Sequence, residues 1–290
     1  MLTFCHYDLS SCLMNASGCF STTRDQLEQL SKTPSCAMVV TKSATLLPQQ
    51  GHDHPRLFID NKNCINSIGL ANMGLDYYNA IALNKTMIQS VYPTCLDDLK
   101  VLLNTTSPIV EINLSCPNSN IKMVDTYESY FQCISALAWD KMIGIKMPPL
   151  FYSHEFDNMA HLLLKYKIDF ITCCNTIPNC LLIHDDATVL HPNDGFGGMA
   201  FKPLALANVH QFYKRLGNQV TILGCGDIRT GEDVMDYILV GATMVQIGAQ
   251  LLREGPDCFQ RIDEEFQMLL KQKGLTLSAC RGQLKRCSKL

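Results

Sequence analysis

The sequence has 290 residues, of which 47% are hydrophobic and 18% charged, with a formal net charge of −3. That balance excludes the strongly basic footprint of a nucleic-acid-binding protein, and the length suits one α/β barrel, a fold of roughly 250 residues. Fifteen cysteines are scattered without a CxxC pair or zinc spacing, so they read as reduced thiols of a cytoplasmic protein, most of them small core hydrophobes, with no metal site. The N-terminus, Met1 to Asp8, lacks a basic region followed by an apolar one, and no apolar run approaches the length of a membrane span, so no membrane contact is expected. The basic residues Arg281, Lys285, Arg286 and Lys289 read as a solvated helix face or tail.

In chain order, short β-branched runs alternate with segments of helical period. Strands are predicted at Leu13–Ala16, Met38–Lys42, Met87–Val91, Ile109–Leu114, Ile143–Lys146, Phe170–Cys173, Val220–Gly224 and Met244–Ile247. Helices are predicted at Thr23–Leu30, Tyr127–Ala138, His154–Tyr166, Ala205–Arg215, Gly231–Leu239 and Asp257–Lys273, the last stopped by Gly274. Eight βα units predict an α/β fold of the (β/α)8 TIM-barrel type, as a single domain over residues 1–290. Polar or glycine residues fall at the C-terminal end of nearly every strand, the face where barrels build active sites. A doubly wound sheet would spread them along a crevice instead. Two long connections, Leu47–Asn84 and Ile177–Ala200, carry several glycines and prolines and are expected to form small extra strands and loops over the barrel mouth.

The segment Asn113-Leu114-Ser115-Cys116-Pro117-Asn118 carries the clearest chemistry. Strand alternation points Asn113 and Ser115 into the barrel, and Pro117, which cannot donate to a ladder, ends the strand. Cys116 then sits on a loop at the mouth between two carboxamides. A thiol of pKa near ~8.5 is a usable proton acceptor at neutral pH; the alternative is one more buried structural thiol. Lys42 offers a cation, and the strand-end asparagines Asn66, Asn113, Asn118 and Asn175 offer both donors and acceptors, although each asparagine alone is equally a turn former. Lys146 ends the fifth strand, where an unpaired inward lysine would be costly. Gly197, Gly198, Gly226 and Gly248 would let backbone N–H groups approach a phosphate near the last two strands.

These motifs resemble, in order, those of the dihydroorotate dehydrogenases. Asn113–Asn118 is similar to their catalytic-base loop, and Asn66-Ser67-Ile68-Gly69-Leu70 to their substrate loop, with Ile68 in place of a more usual methionine. Thr41-Lys42-Ser43, Gly144–Pro149, Thr172–Thr176 and Gly224-Cys225-Gly226 match further motifs, so the resemblance runs from Met14 to Pro256. It implies FMN as cofactor and Cys116 as the base that removes the C5 proton of dihydroorotate while hydride passes from C6 to the flavin. The implied substrate residues are Lys42, Asn66, Ile68, Gly69, Leu70, Asn113, Asn118, Asn175 and Thr176. Those implied for FMN are Ala16, Gly18, Lys42, Ser43, Asn113, Lys146, Gly197, Gly198, Cys225, Gly226, Asp227, Gly248 and Ala249, with Lys146 at the edge that gains negative charge. Cysteine in place of serine resembles class 1, and Lys146–Pro149 with Ala205–Val209 resembles class 1A, the homodimers that use fumarate.

Some positions depart from the family pattern. Asp227 stands where a second glycine is usual, and a carboxylate beside a phosphate is unfavourable unless it points away. Ala249 replaces a threonine that commonly meets phosphate, Val91-Tyr92-Pro93 replaces a small Ser-Gly step, and 119–124 differ from the class 1A loop. Two other readings stay open on the sequence alone: a barrel that binds flavin or orotate with little or no catalysis, and a dihydrouridine synthase-like flavoenzyme. The second predicts a basic face and an RNA-binding domain after the barrel.

Overall fold

The computed structural model describes residues 2–4, 6–114, 127–137, 140–185, 187–190 and 194–285. Eight parallel strands follow one another around a barrel: β1 (Leu13–Asn15), β2 (Val39–Val40), β3 (Met87–Val91), β4 (Ile109–Asn113), β5 (Met142–Lys146), β6 (Phe170–Cys173), β7 (Thr221–Cys225) and β8 (Met244–Ile247). From β2 onward each pairs with its successor, and β8 returns to β1 through Val245↔Leu13, Gln246↔Met14 and Ile247↔Asn15. The eight predicted strands are all present within one or two residues of their expected bounds. Such mainly apolar runs suit a sheet buried inside and out.

The joint between β1 and β2 is the thinnest, a single parallel bridge between Met14 and Met38. A side chain completes it. Asn15 Nδ2 donates to Val40 O at 2.7 Å, and Val40 N donates to Asn15 Oδ1 at 2.8 Å. The carboxamide copies the donor–acceptor pair of a peptide group, so the barrel closes where backbone pairing runs out.

The barrel interior is packed rather than open. Phe170 points inward at the start of β6, and its ring occupies the space a side chain at Gly144 of β5 would take. Below it, the ring of Phe4 meets Phe170 edge-on, with centroids 5.3 Å apart. Phe4 belongs to an antiparallel hairpin of Leu2–Phe4 and Tyr7–Leu9, which the sequence did not announce.

Helices cover the outside, including Arg24–Lys32, Tyr127–Ala136, Ser153–Lys165, Lys202–Leu216, Gly231–Leu239 and Cys258–Lys273. Thr23 with Gln26, and Thr230 with Asp233, form reciprocal capping boxes that start two of them. Short α-helices at Leu75–Asn79, Leu96–Leu102, Ala249–Glu254 and Leu277–Cys280, with a 3-10 turn at Met199–Phe201, complete the set among the described residues. Arg281 is no solvated tail residue: it lies over the Tyr213 ring at 5.1 Å and donates to Gly241 O at 3.0 Å. No helix among the described residues is long and apolar enough to cross a membrane.

The two long connections join into one structure. Leu57–Ile59 and Cys64–Asn66 from the first, with Ile177–Cys180 and Asp194–Phe196 from the second, form a four-stranded antiparallel sheet. This cap stands at the C-terminal end of the barrel, where Asn66 Nδ2 donates to Gly195 O at 3.0 Å across the two connections.

Candidate active site

Between the strand ends and the cap lies a cavity of about 200 Å³. Most residues singled out from the sequence line it: Ala16, Gly18, Lys42, Ser43, Asn66, Ile68, Leu70, Asn113, Lys146, Asn175, Thr176, Gly197, Cys225, Gly226, Asp227, Gly248 and Ala249. Residues more than 230 positions apart thus share one wall, because parallel strands bring all their C-terminal ends to the same face. Gly69 and Gly198 do not line it. Gly69 packs behind the wall against His52, and Gly198 sits so close to the backbone of Lys62 and Asn63 that a side chain there would displace the cap turn. Cys116 and Asn118 lie outside the described residues.

The polar groups of the wall hold one another. Ser43 Oγ shares hydrogen bonds with Ser17 Oγ at 3.1 Å and Ser90 Oγ at 2.9 Å, and accepts from Asn113 Nδ2 at 3.2 Å. Asn175 Nδ2 donates to Asn113 Oδ1 at 3.4 Å, and Asn175 Oδ1 accepts from the Thr176 backbone at 2.9 Å. These links join the ends of β2, β3, β4 and β6 with the loop after β1, and they fix how the carboxamides face the cavity. Gly18 leaves the space beside Lys42: a side-chain carbon there would sit 3.2 Å from Lys42 Nζ.

Lys146 projects inward from the end of β5 and donates to Gln246 Oε1 at 2.9 Å. Burial pulls its ammonium down, but the neighbouring Cys225 and Glu111 outweigh that and leave its pKa raised above the ordinary lysine value. The loop that follows β5 is held by Asn208 of helix Lys202–Leu216, whose carboxamide accepts from Leu150 N at 2.8 Å and donates to Leu150 O at 3.1 Å. This accounts physically for the Ala205–Val209 motif.

Several site residues escaped the sequence reading. Ser17, Cys19, Leu57, Cys64, Cys174, Phe201 and Leu252 also line the cavity. Burial pushes the Cys19 thiol up to about 12 and Cys64 to about 11, so both are protonated hydrophobes at neutral pH. Glu111 was missed as well, although a lone acid two residues before Asn113 in an apolar strand must share its inward face.

At the far end of the cavity Asp227 has a backbone φ of +47°. Its carboxylate accepts two hydrogen bonds from Arg229, and Arg253 stands 3.7 Å away. The charge expected to oppose a phosphate is therefore neutralised within the protein.

A family model described as dihydroorotate dehydrogenase matches residues 1–270. The dihydroorotate dehydrogenase A (fumarate) assigned in Streptococcus agalactiae serotype Ia is 36% identical over 300 residues, covering 96% of both chains. The one assigned in Streptococcus pyogenes serotype M3 is 38% identical over 300 residues, covering 97% of this chain and 96% of the other. Among solved structures, the ligand-free DHODH of Eimeria tenella superposes with a TM-score of 0.82 at 20% identity, over 95% of this chain and 89% of that one, which supports the barrel fold. With the motifs colinear, the fold shared and the match spanning nearly the whole sequence, this chain belongs to the dihydroorotate dehydrogenase family, a family of FMN oxidoreductases.

Proposed function

We propose that the chain oxidises dihydroorotate to orotate with FMN as cofactor and fumarate as electron acceptor. The observation that carries this reading is the convergence of Lys42, Asn66, Asn113, Asn175 and Lys146 on one cavity. The residues present suit FMN. A flat ring system needs an apolar surround, supplied by Ala16, Cys19, Cys64, Cys174, Phe201 and Leu252, and a cation, supplied by Lys146. Backbone at Gly226–Asp227 and Gly248–Ala249 is available to a phosphate, with Asp227 already paired to Arg229. Bound FMN would supply the two-electron redox chemistry, which no side chain here provides.

The protein's part is to bind, orient and move one proton. Lys42 meets the substrate carboxylate, and the carboxamides of Asn66, Asn113 and Asn175 satisfy its amide edges. Cys116 follows Asn113 by three residues, and its Sγ takes the proton from C5. Fumarate, also a small carboxylate, uses the same cage. The protein acts in the cytoplasm as a homodimer in pyrimidine biosynthesis, as the class 1A resemblance implies.

The test is an anaerobic mix of purified yellow protein with dihydroorotate. Bleaching of the flavin absorbance, reversed by fumarate, is expected. A colourless protein that fails to take up added FMN would overturn the assignment, and bleaching without recovery on fumarate would overturn the acceptor.

A further inference from the structure

Deep in the barrel, below the cavity, sits an acid that the chemistry above does not use. Glu111, Gln246 and Thr172 are fully buried, and Lys146 is 6% exposed. Glu111 Oε2 accepts from Thr172 Oγ1 at 2.6 Å and from Gln246 Nε2 at 2.8 Å, while Gln246 Oε1 accepts from Lys146 Nζ at 2.9 Å. The Gln246 carboxamide thus bridges a carboxylate on β4 and an ammonium on β5. Its orientation follows from the charges, since a flipped amide would set N–H₂ against the ammonium and oxygen against the carboxylate.

Among the described residues, Glu111 Oε1 has no hydrogen-bond partner. A neutral glutamine would fill similar space without burying a charge, and a buried ion pair is generally no gain in stability over apolar packing. The carboxylate does serve Lys146, because a buried lysine without a counter-charge tends to shed its proton. We propose that Glu111, acting through Gln246, is a positioning residue that keeps Lys146 an ammonium against the cofactor cavity.

The other titratable groups facing Lys146 are thiols: Cys225 at the end of β7, Cys173 and Cys174 at the end of β6, and Cys19 after β1. Burial raises Cys19 to about 12 and Cys173 and Cys174 further, so those three carry no charge near neutrality. Lys42, across the same cavity, has the same sign as Lys146. Of the groups that raise Lys146, Cys225 has the larger influence, and Glu111 comes next as the one carboxylate among them.

The inference rests on the FMN reading for its consequence, and the test separates the two. The midpoint potential of bound FMN is measured between about pH 6 and about pH 9 for wild type, Glu111→Gln, and Glu111→Gln with Lys146→Arg. Glu111→Gln is expected to lose about tenfold in preference for reduced over oxidised FMN, about 30 mV for a two-electron couple. The loss should grow as pH rises and Lys146 deprotonates. Arginine, which stays charged, should remove that pH dependence. A Glu111→Gln potential equal to or above wild type throughout overturns the proposal.

Urea unfolding of cofactor-free protein supplies a readout that needs no flavin. Glu111→Gln, Lys146→Met and the double variant should be non-additive by about tenfold in the unfolding equilibrium constant, and additivity overturns the coupling. Wild-type protein that refuses FMN while the cycle shows coupling counts against the FMN reading alone. Should Glu111→Gln fail to fold, Gln246→Met breaks the bridge with both charges kept, and the same potential measurement decides in the same way.

Discussion

Arg229 grips the Asp227 carboxylate with two parallel hydrogen bonds, Nε to Oδ2 at 2.8 Å and Nη2 to Oδ1 at 2.9 Å, at the edge of the cavity. The same guanidinium reaches the carbonyls of Asn61 and Lys62, and Arg253 reaches those of Asp60 and Asn63. Both arginines therefore fasten the loop after β7 and helix Ala249–Glu254 to the tight turn of the cap. Asp227 aligns them, and its own left-handed backbone is one that Asp and Asn tolerate better than other side chains.

Asp227→Asn keeps that backbone but removes the charge. Cofactor-free protein is expected to lose about 1–3 kcal/mol of stability as the paired guanidinium loses its acceptor. FMN should bind more tightly, because a negative charge near its phosphate is gone. Thermal melting and fluorescence titration read the two effects separately, and weaker FMN binding would show that Asp227 assists the cofactor.

Asn15→Leu removes the carboxamide that completes the joint between β1 and β2, leaving Val40 N–H and C=O without their partner. Each buried orphan costs about 1–3 kcal/mol, so a loss of a few kcal/mol is expected in urea unfolding. A change within experimental error would mean that the joint is held by the Met14–Met38 bridge alone.

Lys202 forms ion pairs with Asp233 and Asp236 and so ties helix Lys202–Leu216 to helix Gly231–Leu239. Burial pulls against both partners' charged forms. The Lys202 hydrogen bond nonetheless holds Asp233 below the usual carboxylate range, and the two aspartates raise Lys202 above the usual lysine value. A depressed acid stabilises the fold above its unfolded pKa of about 3.9, and that contribution disappears as pH falls through the folded value. A raised lysine stabilises below about 10.4, and that contribution disappears as pH rises through its folded value. Lys202→Met should therefore be destabilised near pH 7, with the gap to wild type closing at strongly acidic pH. A gap independent of pH would mean that packing, not charge, carries the contact.

Cys116→Ala should remain yellow with FMN yet lose about 10²–10⁴-fold in dihydroorotate oxidation, the usual contribution of a positioned base. Stopped-flow bleaching measures this, and turnover at the wild-type rate would remove Cys116 from the mechanism.

Lys42→Ala should weaken orotate binding about 10- to 100-fold, as loss of a hydrogen bond to a charged group costs about 1.5–3 kcal/mol. Orotate titration of the yellow protein checks it against an unchanged melting temperature, and unaltered affinity would remove Lys42 from the cage.

The barrel was readable in the chain because its signals are local. β-Branched runs, capping residues and stop glycines each act over a few positions, and eight of them in series leave few other topologies. The site was readable for a related reason: Lys42, Asn113, Lys146 and Asn175 stand at strand ends, and strand ends of a barrel share a face. Contacts that cross the chain could not be read in this way. Nothing local in Cys64–Asn66 or Asp194–Phe196 says that the two connections meet in one sheet, since these two strands pair with each other across more than a hundred residues. The N-terminal hairpin beneath Phe170 is similar: its three-residue strands carry too little pattern to announce themselves.

The residue types alone settled the family, the order of the βα units and the identity of most groups around the cavity, because motif chemistry and periodicity travel with the sequence. The charge state of the site was decided only in three dimensions. Asp227 reads as an obstacle to a phosphate until Arg229 is seen to hold it, and Glu111 reads as an anomaly until Gln246 connects it to Lys146. Electrostatic energies depend on distance and burial, and both are set by the closing of the barrel, which brings residues 111 and 246 into contact.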